Sequence, residues 1–176
     1  SLYRLIKSTD EIGKIKEYSF DYNNNPISII DENSQQETMQ YDSIGNLTNL
    51  SLPLGRISSF AYNSFAKPMQ ITDPLGNITT YGYDSKGNLT SIHFPDNSWR
   101  YFTYNSNGTL QSYTDGLSNT TDYSYNSFGD LTLIAAPNGN KIFTYDNSGR
   151  KISITDENNN TTHIAYDDND NITSIT

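Results

Sequence analysis

Residues 83–105 read YDSKGNLTSIHFPDNSWRYFTYN, one complete row that opens on Tyr83-Asp84 and closes on the next such pair, Tyr104-Asn105. The same beat falls at Phe20, Tyr41, Tyr62, Tyr83, Tyr104, Tyr125, Tyr145 and Tyr166, at spacings of 21 residues except for 20 between Tyr125 and Tyr145. Each anchor is followed by an acid or its amide: Asp21, Asp42, Asn63, Asp84, Asn105, Asn126, Asp146 and Asp167. A fixed period in this range marks a repeat architecture, so the residues gain their meaning in columns.

Four residues after each anchor stand Asn24, Gly45, Ala66, Gly87, Gly108, Gly129, Gly149 and Asp170, nearly all of them types that tolerate a left-handed backbone. That column predicts a type I turn with a glycine bulge. Asp10-Glu11-Ile12-Gly13, Asp73-Pro74-Leu75-Gly76 and Asp156-Glu157-Asn158-Asn159 give each row a second turn signal. Two residues before the anchor the chain is apolar, as at Tyr18, Phe60, Tyr81, Phe102 and Phe143, with a small or polar residue between, which is the period-two pattern of a strand with one covered face. The columns six and nine residues after the anchor, mostly Leu and then Ile, are expected to be buried. Two turns per row predict two short strands per row and leave no room for a helix of ten residues. The expected fold is all-β, an antiparallel meander of about fifteen strands in tandem hairpins, forming a curled strip. A single row has too few apolar side chains to offset the entropy of ordering it, so rows must stack, Tyr over Tyr and Ile over Ile. The open strip ends are expected sites of self-association.

Composition agrees with a thin sheet. Apolar residues make up 34% of the 176, and 14 residues are Tyr, so a thick layered core is not expected. A formal charge of -9, with 11 Lys and Arg scattered singly, argues against a nucleic-acid partner. The absence of Cys excludes a disulfide framework and a thiolate metal site. No apolar run reaches the roughly 18 residues of a membrane span. With rows already under way at Leu2 to Leu5 and unfinished at Thr176, residues 1–176 are expected to be one repeat domain of about eight rows, incomplete at both ends and cut from a longer array.

The columns Tyr-Asp-x-x-Gly-x-Leu-x-x-Ile, then Asp-x-x-Gly, then Tyr-x-Tyr-Asp resemble the YD repeat of the Rhs family, shared with insecticidal toxin-complex subunits and teneurins. The resemblance covers almost the whole chain, with the best copies at Tyr83 to Asn105 and Tyr125 to Asp146; the row at Phe20 departs, having Phe20, Asn24 and Pro26 where Tyr, Gly and Leu are usual. It implies a strip that spirals into a hollow β-shell, enclosing or displaying a C-terminal toxin domain in bacterial members and serving as an adhesion scaffold in teneurins. The implied partners are the rest of its own shell and that toxin cargo, and the implied location is secreted or cell-surface; the Asn- and Ile-rich composition points to a bacterial source.

Several motifs invite a chemical reading. Asp73-Pro74-Leu75-Gly76 resembles the Asp-Pro-x-Gly stretch near the self-cleavage site of Rhs shells. The same column carries Asp10, Asp31, Asp115 and Asp156, so an ordinary turn accounts for it. Asp167-Asp168-Asn169-Asp170-Asn171 has oxygen ligands at calcium-loop spacing but lacks the glycine of such a loop, and a polar turn is expected. His93 and His163 lie in different columns without a metal-spaced partner. The Asn-x-Thr triplets at Asn77 and Asn88 are expected to be turn chemistry. Tyr faces and Trp99 would suit sugar stacking, which makes a surface adhesion or carbohydrate-binding array, with a surface glycan as partner, the alternative function; the Tyr columns are expected to pack instead. No residue is singled out as catalytic, cofactor-binding or metal-ligating, no cofactor is expected, and the chain is expected not to be an enzyme.

Overall fold

The computed structural model describes residues 4–176; Leu2, and with it the start of the row expected at Leu2 to Leu5, lies outside the described residues. The first strands are β1 (Arg4–Thr9), β2 (Ile15–Phe20), β3 (Pro26–Ile30), β4 (Gln36–Tyr41), β5 (Leu47–Leu52), β6 (Arg56–Tyr62), β7 (Pro68–Thr72) and β8 (Ile78–Tyr83). They are followed by β9 (Leu89–His93), β10 (Trp99–Tyr104), β11 (Leu110–Thr114), β12 (Thr120–Tyr125), β13 (Leu131–Ala136), β14 (Gly139–Tyr145), β15 (Lys151–Thr155), β16 (Thr161–Tyr166) and β17 (Ile172–Ile175). The described residues hold no α-helix, only a 3-10 turn at Pro53–Gly55. The fold is all-β, with 17 strands where about fifteen were expected. Each anchor ends one strand and the next begins six residues later, so eight anchors account for sixteen strands and β1 adds one more.

The chain divides into two compact units, one of Ser1–Gly82 with His93–Asn97, the other of Tyr83–Ile92 with Ser98–Thr176. In the first, β1 to β8 pair antiparallel in chain order. In the second, β10 to β17 do the same. Both are meanders joined by tight turns, the arrangement that two turn signals per row require.

The eight positions four residues after the anchors all have positive φ, from 56° at Ala66 to 92° at Gly45 and Gly129. In the turn after Tyr104, the Gly108 amide donates to the Asn105 carbonyl at 2.9 Å and the Asn105 amide to the Thr109 carbonyl at 2.9 Å. These bonds close a type I turn with a bulge at the glycine. The one short row has its own cause. Between Tyr125 and Tyr145 the second turn is a hairpin in which Ala136 pairs directly with Gly139, one residue tighter than its counterparts, and Ala136 stands in the Asp column. A Cβ at Gly139 would lie 2.8 Å from the Glu157 Cβ, so only glycine fits there.

Each anchor turn carries a further irregularity one step into the strands. Tyr104 faces Leu110 but Thr103 faces Ser112, which leaves Gln111 as an extra residue. Six other anchor turns shift register in the same place. This bulge reconciles the columns with strand geometry: Leu110 and Tyr113 are three apart and would face opposite ways in a plain strand, whereas the extra residue returns both to one face. Phe102, Tyr104, Leu110, Tyr113, Tyr123 and Tyr125 share that face and are half-buried, while Tyr101, Thr103, Asp122 and Ser124 on the other are exposed.

The columns expected to be buried are only half-buried. Among the described residues no apolar side chain is fully buried, and Ile175, at the end of its column, is 63% exposed. Nothing in either unit is layered over the apolar face, so its side chains are covered only by their neighbours in the same sheet.

Two substitutions separate backbone strain from packing. At Gly108 a Cβ would meet nothing within 4 Å. Gly108→Val is therefore expected to destabilise the chain by at least about 1 kcal/mol through φ alone. Ala66 holds φ of 56° without glycine's freedom, so Ala66→Gly is expected to leave stability unchanged or raise it by up to about 1 kcal/mol. Urea titrations of the two variants check both signs.

Candidate functional site

The repeated site is the turn. The Asp84 carboxylate accepts the Lys86 amide at 2.9 Å and the Asn88 amide at 2.8 Å on Oδ1, and the Asn88 side-chain amide at 2.9 Å on Oδ2. Asp73 does the same with Leu75, Asn77 and the Asn77 side chain at 2.8, 2.9 and 2.8 Å. Anchor turns and second turns thus share one device, a carboxylate holding the amides two and four residues on, although the second turns at Leu52, Phe94 and Ala136 lack it. Hydrogen bonds from the Asn77 and Asn88 side chains, chief among several, hold the Asp73 and Asp84 carboxyls below their ordinary pKa.

This places the candidate motifs. Asp10, Asp31, Asp115 and Asp156 accept the same pair of amides as Asp73. Asp167 accepts the Asn169 and Asn171 amides, each at 2.9 Å, so the stretch with calcium-loop spacing folds as another such turn. His163 lies on β16 opposite Ser153 and exchanges two backbone hydrogen bonds with Thr176. His93 lines a cleft of about 400 Å³ with Phe94 and Pro95. Among the described residues no group of three His, Asp or Glu side chains is placed to hold a metal ion.

The anchor tyrosines join rows. Tyr41 donates its hydroxyl to the Pro26 carbonyl at 2.9 Å, Tyr62 to Leu47 at 2.8 Å, Tyr145 to Leu131 at 2.8 Å and Tyr166 to Lys151 at 2.9 Å. Each acceptor is the residue of the preceding row at which the bulge interrupts the ladder. The hydroxyl supplies a donor where the ladder is broken. Burial, followed by the nearby Asp21 charge for Tyr41 and the Asp130 charge for Tyr145, pushes these two hydroxyls above their ordinary pKa. Exceptions in the columns also have reasons. Lys151 stands where Leu is usual and lays its ammonium 4.6 Å from the Phe143 ring centre. Arg150 stands where Asn is usual; it bonds Asp146 in its own turn and Asp170 in the next, both at 2.7 Å, and lies over the Tyr166 ring.

The opposite face of the second unit carries paired hydroxyls: Thr103 with Ser112 at 2.6 Å, Thr114 with Thr120 at 2.9 Å, Thr144 with Ser153 at 2.6 Å and Thr155 with Thr161 at 2.8 Å. Trp99 and Tyr101 belong to this face, stacked with ring centres 5.6 Å apart and planes 2° from parallel. Trp99 therefore does not share a face with the Tyr columns. Its odd offset from Tyr104 was the signal, since odd positions before the anchor point away from it.

Removing one clip tests its contribution. Tyr145→Phe is expected to lower stability by about 0.5–1.5 kcal/mol, and the already hydroxyl-free Phe20→Leu exchange to show no matching polar loss. The turn carboxylates set the acid limit. Their folded pKa values lie below the unfolded one, so their stabilisation is complete above about pH 4 and is lost as pH falls through the folded values. Thermal midpoints are expected to change little on this account from pH 7 to 5 and to fall below pH 4; a fall centred between pH 7 and 5 contradicts the assignment.

Known proteins supply a context for this geometry. Among curated proteins none matches the sequence. Among solved structures, the chain is similar to TcdB2-TccC3 without its hypervariable C-terminal region, at 14% identity and a TM-score of 0.72 over 97% of this chain and 10% of that one. It is also similar to TcdB2-TccC3-Cdc42, at 13% and 0.71 over 98% and 11%, and to a Photorhabdus luminescens Tc holotoxin pore with a TccC3 mutation, at 17% and 0.68 over 89% and 10%. The chain spans about a tenth of the length of these structures, and at such identities the likeness is one of fold. The RHS Repeat model matches residues 104–141 and 125–161, and the Teneurin YD-shell model matches residues 1–116. On that match, and on rows whose turns and clips repeat in space as their columns do in sequence, the chain belongs to the teneurin YD-shell family.

Proposed function

We propose that this chain is a wall segment of a secreted or surface-exposed Rhs-type polymorphic toxin, in which residues 1–176 form one stretch of a longer repeat array that encloses or displays a C-terminal toxin domain. The observation that carries the reading is that each unit is an antiparallel meander in which, among the described residues, no apolar side chain is fully buried. A fold that completes no core serves as a boundary between what lies on either side of it, and the turn aspartates and Tyr41, Tyr62, Tyr145 and Tyr166 are engaged in holding turns and rows. The match to YD-shell repeats supports a structural role. The name of one similar structure specifies removal of a hypervariable C-terminal region, which supports a variable cargo following a constant wall. No helix among the described residues is long and apolar enough to cross a membrane.

The test uses the full-length gene product. The segment downstream of Thr176 is expected to resist protease while the rows are intact, and to be digested when the rows from Tyr83 to Tyr125 are deleted. Equal digestion in both forms contradicts enclosure.

A further inference from the structure

The anchor turn after Tyr104 departs from the device that shapes its counterparts. Asn63 and Asn126, in the same column, each accept the amides two and four residues on through Oδ1. Asn105 instead donates its side-chain amide to the Thr109 hydroxyl at 2.9 Å. The Thr109 amide donates to the Asn107 Oδ1 at 3.1 Å, and the Thr109 hydroxyl donates to the same oxygen at 2.8 Å. Asn107 thus carries two donors on its side-chain carbonyl oxygen, and the residue after it is Gly108. Asn-Gly occurs twice in the chain, here and at Asn138-Gly139.

We infer that Asn107 is a site of spontaneous deamidation, an intramolecular acyl transfer for which the chain supplies both nucleophile and electrophile and water is the co-reactant. The Gly108 backbone nitrogen attacks the Asn107 side-chain carbonyl carbon and forms a C–N bond. The bond from that carbon to Nδ2 breaks, ammonia leaves with the proton of the Gly108 amide, and a cyclic imide remains. Water then opens the imide at one carbonyl to give Asp, or at the other to give isoaspartate, in which the backbone runs through the former side chain. Negative charge gathers on Oδ1 during the attack, and both Thr109 donors meet that atom, as oxyanion-stabilising donors do in acyl-transfer sites. The bond from the amide two residues on also folds the Asn107 side chain back toward the intervening Gly108 nitrogen. Glycine leaves that nitrogen without a flanking Cβ.

The fold ranks the two Asn-Gly pairs, which the sequence leaves equal. In both, the glycine belongs to the hairpin closure: the Gly108 amide donates to the Asn105 carbonyl at 2.9 Å, and Gly139 pairs with Ala136. Attack therefore waits on local opening of the turn. Asn107 and Gly108 are exposed, and a Cβ at Gly108 would meet nothing within 4 Å, so this tip opens into free space. Gly139 is half-buried, and a Cβ there would lie 2.8 Å from the Glu157 Cβ and 2.9 Å from its backbone oxygen. Opening that turn has to displace its neighbour.

The 176-residue chain is held at neutral pH and body temperature while tandem mass spectrometry follows the conversion of each Asn. In the folded chain Asn107 is expected to accumulate Asp and isoaspartate at least about tenfold faster than Asn138. In guanidinium, with the chain unfolded, the two are expected to convert at similar rates. Thr109→Val is expected to slow conversion at Asn107 by about two- to tenfold, the worth of one hydrogen bond, and Thr109→Ser, which keeps the hydroxyl, to retain the parent rate. Conversion at Asn107 no faster than at Asn138 in the folded chain overturns the inference, as does a parent rate in Thr109→Val. A ranking that persists in guanidinium overturns it too, because the local sequence and not the turn then sets it. The comparison of the two sites needs no variant, so it stands even if Thr109→Val fails to fold. The inference does not rest on the shell reading, and protease protection of a downstream segment can fail or succeed independently of it.

Discussion

Most hairpins of this chain take their shape from one interaction, a side-chain oxygen of Asp or Asn that accepts two backbone amides, two and four residues further on. With no apolar side chain fully buried among the described residues, burial alone does little to correct a strand that slips. Register has to be set locally, and a capped turn sets it at one end or both of each complete row. The bulge and the tyrosine clip follow from that. One returns the Leu and Ile columns to a common face, and the other ties the interrupted ladder to the next row.

Such a design spreads stability along the chain rather than concentrating it. Each row is held by its own turns and by the neighbours it clips to, which is the behaviour expected of repeat proteins. Cross-row contacts such as Arg150 to Asp170 add to this without forming a core. A sheet built this way can be extended by adding rows, since each row is held by its neighbours, and that property suits a structural role.

Much of this was legible in the sequence because it is local. The spacing of Tyr-Asp pairs required hairpins, and the glycine-rich column required positive φ, as found even where Asn24, Ala66 and Asp170 replace Gly. The glycine bulge was expected, but the second bulge, at Gln111 and its counterparts, was not recognised, although the spacing of three between Leu110 and Tyr113 signals it: no regular strand puts residues three apart on one face. The tyrosine clips had no local signal, because a hydroxyl and an acceptor in the preceding row meet only through stacking. The half-burial of the columns was overestimated for the same reason that apolar patterning usually is: it tells which face is covered and not by how much. Trp99 was named beside the tyrosines without a face assigned to it, and its odd offset from Tyr104 places it on the face opposite theirs.

Residue-resolved amide exchange at pH 7 tests the role of the capped turns most directly. The Lys86 and Asn88 amides, both held by the Asp84 carboxylate in an exposed turn, are predicted to be protected to a degree approaching that of the adjoining strand amides, and to lose that protection in Asp84→Ala. Exchange of these two amides at unprotected rates in the parent chain, while the strands remain protected, would show that the register is held by something other than the turns.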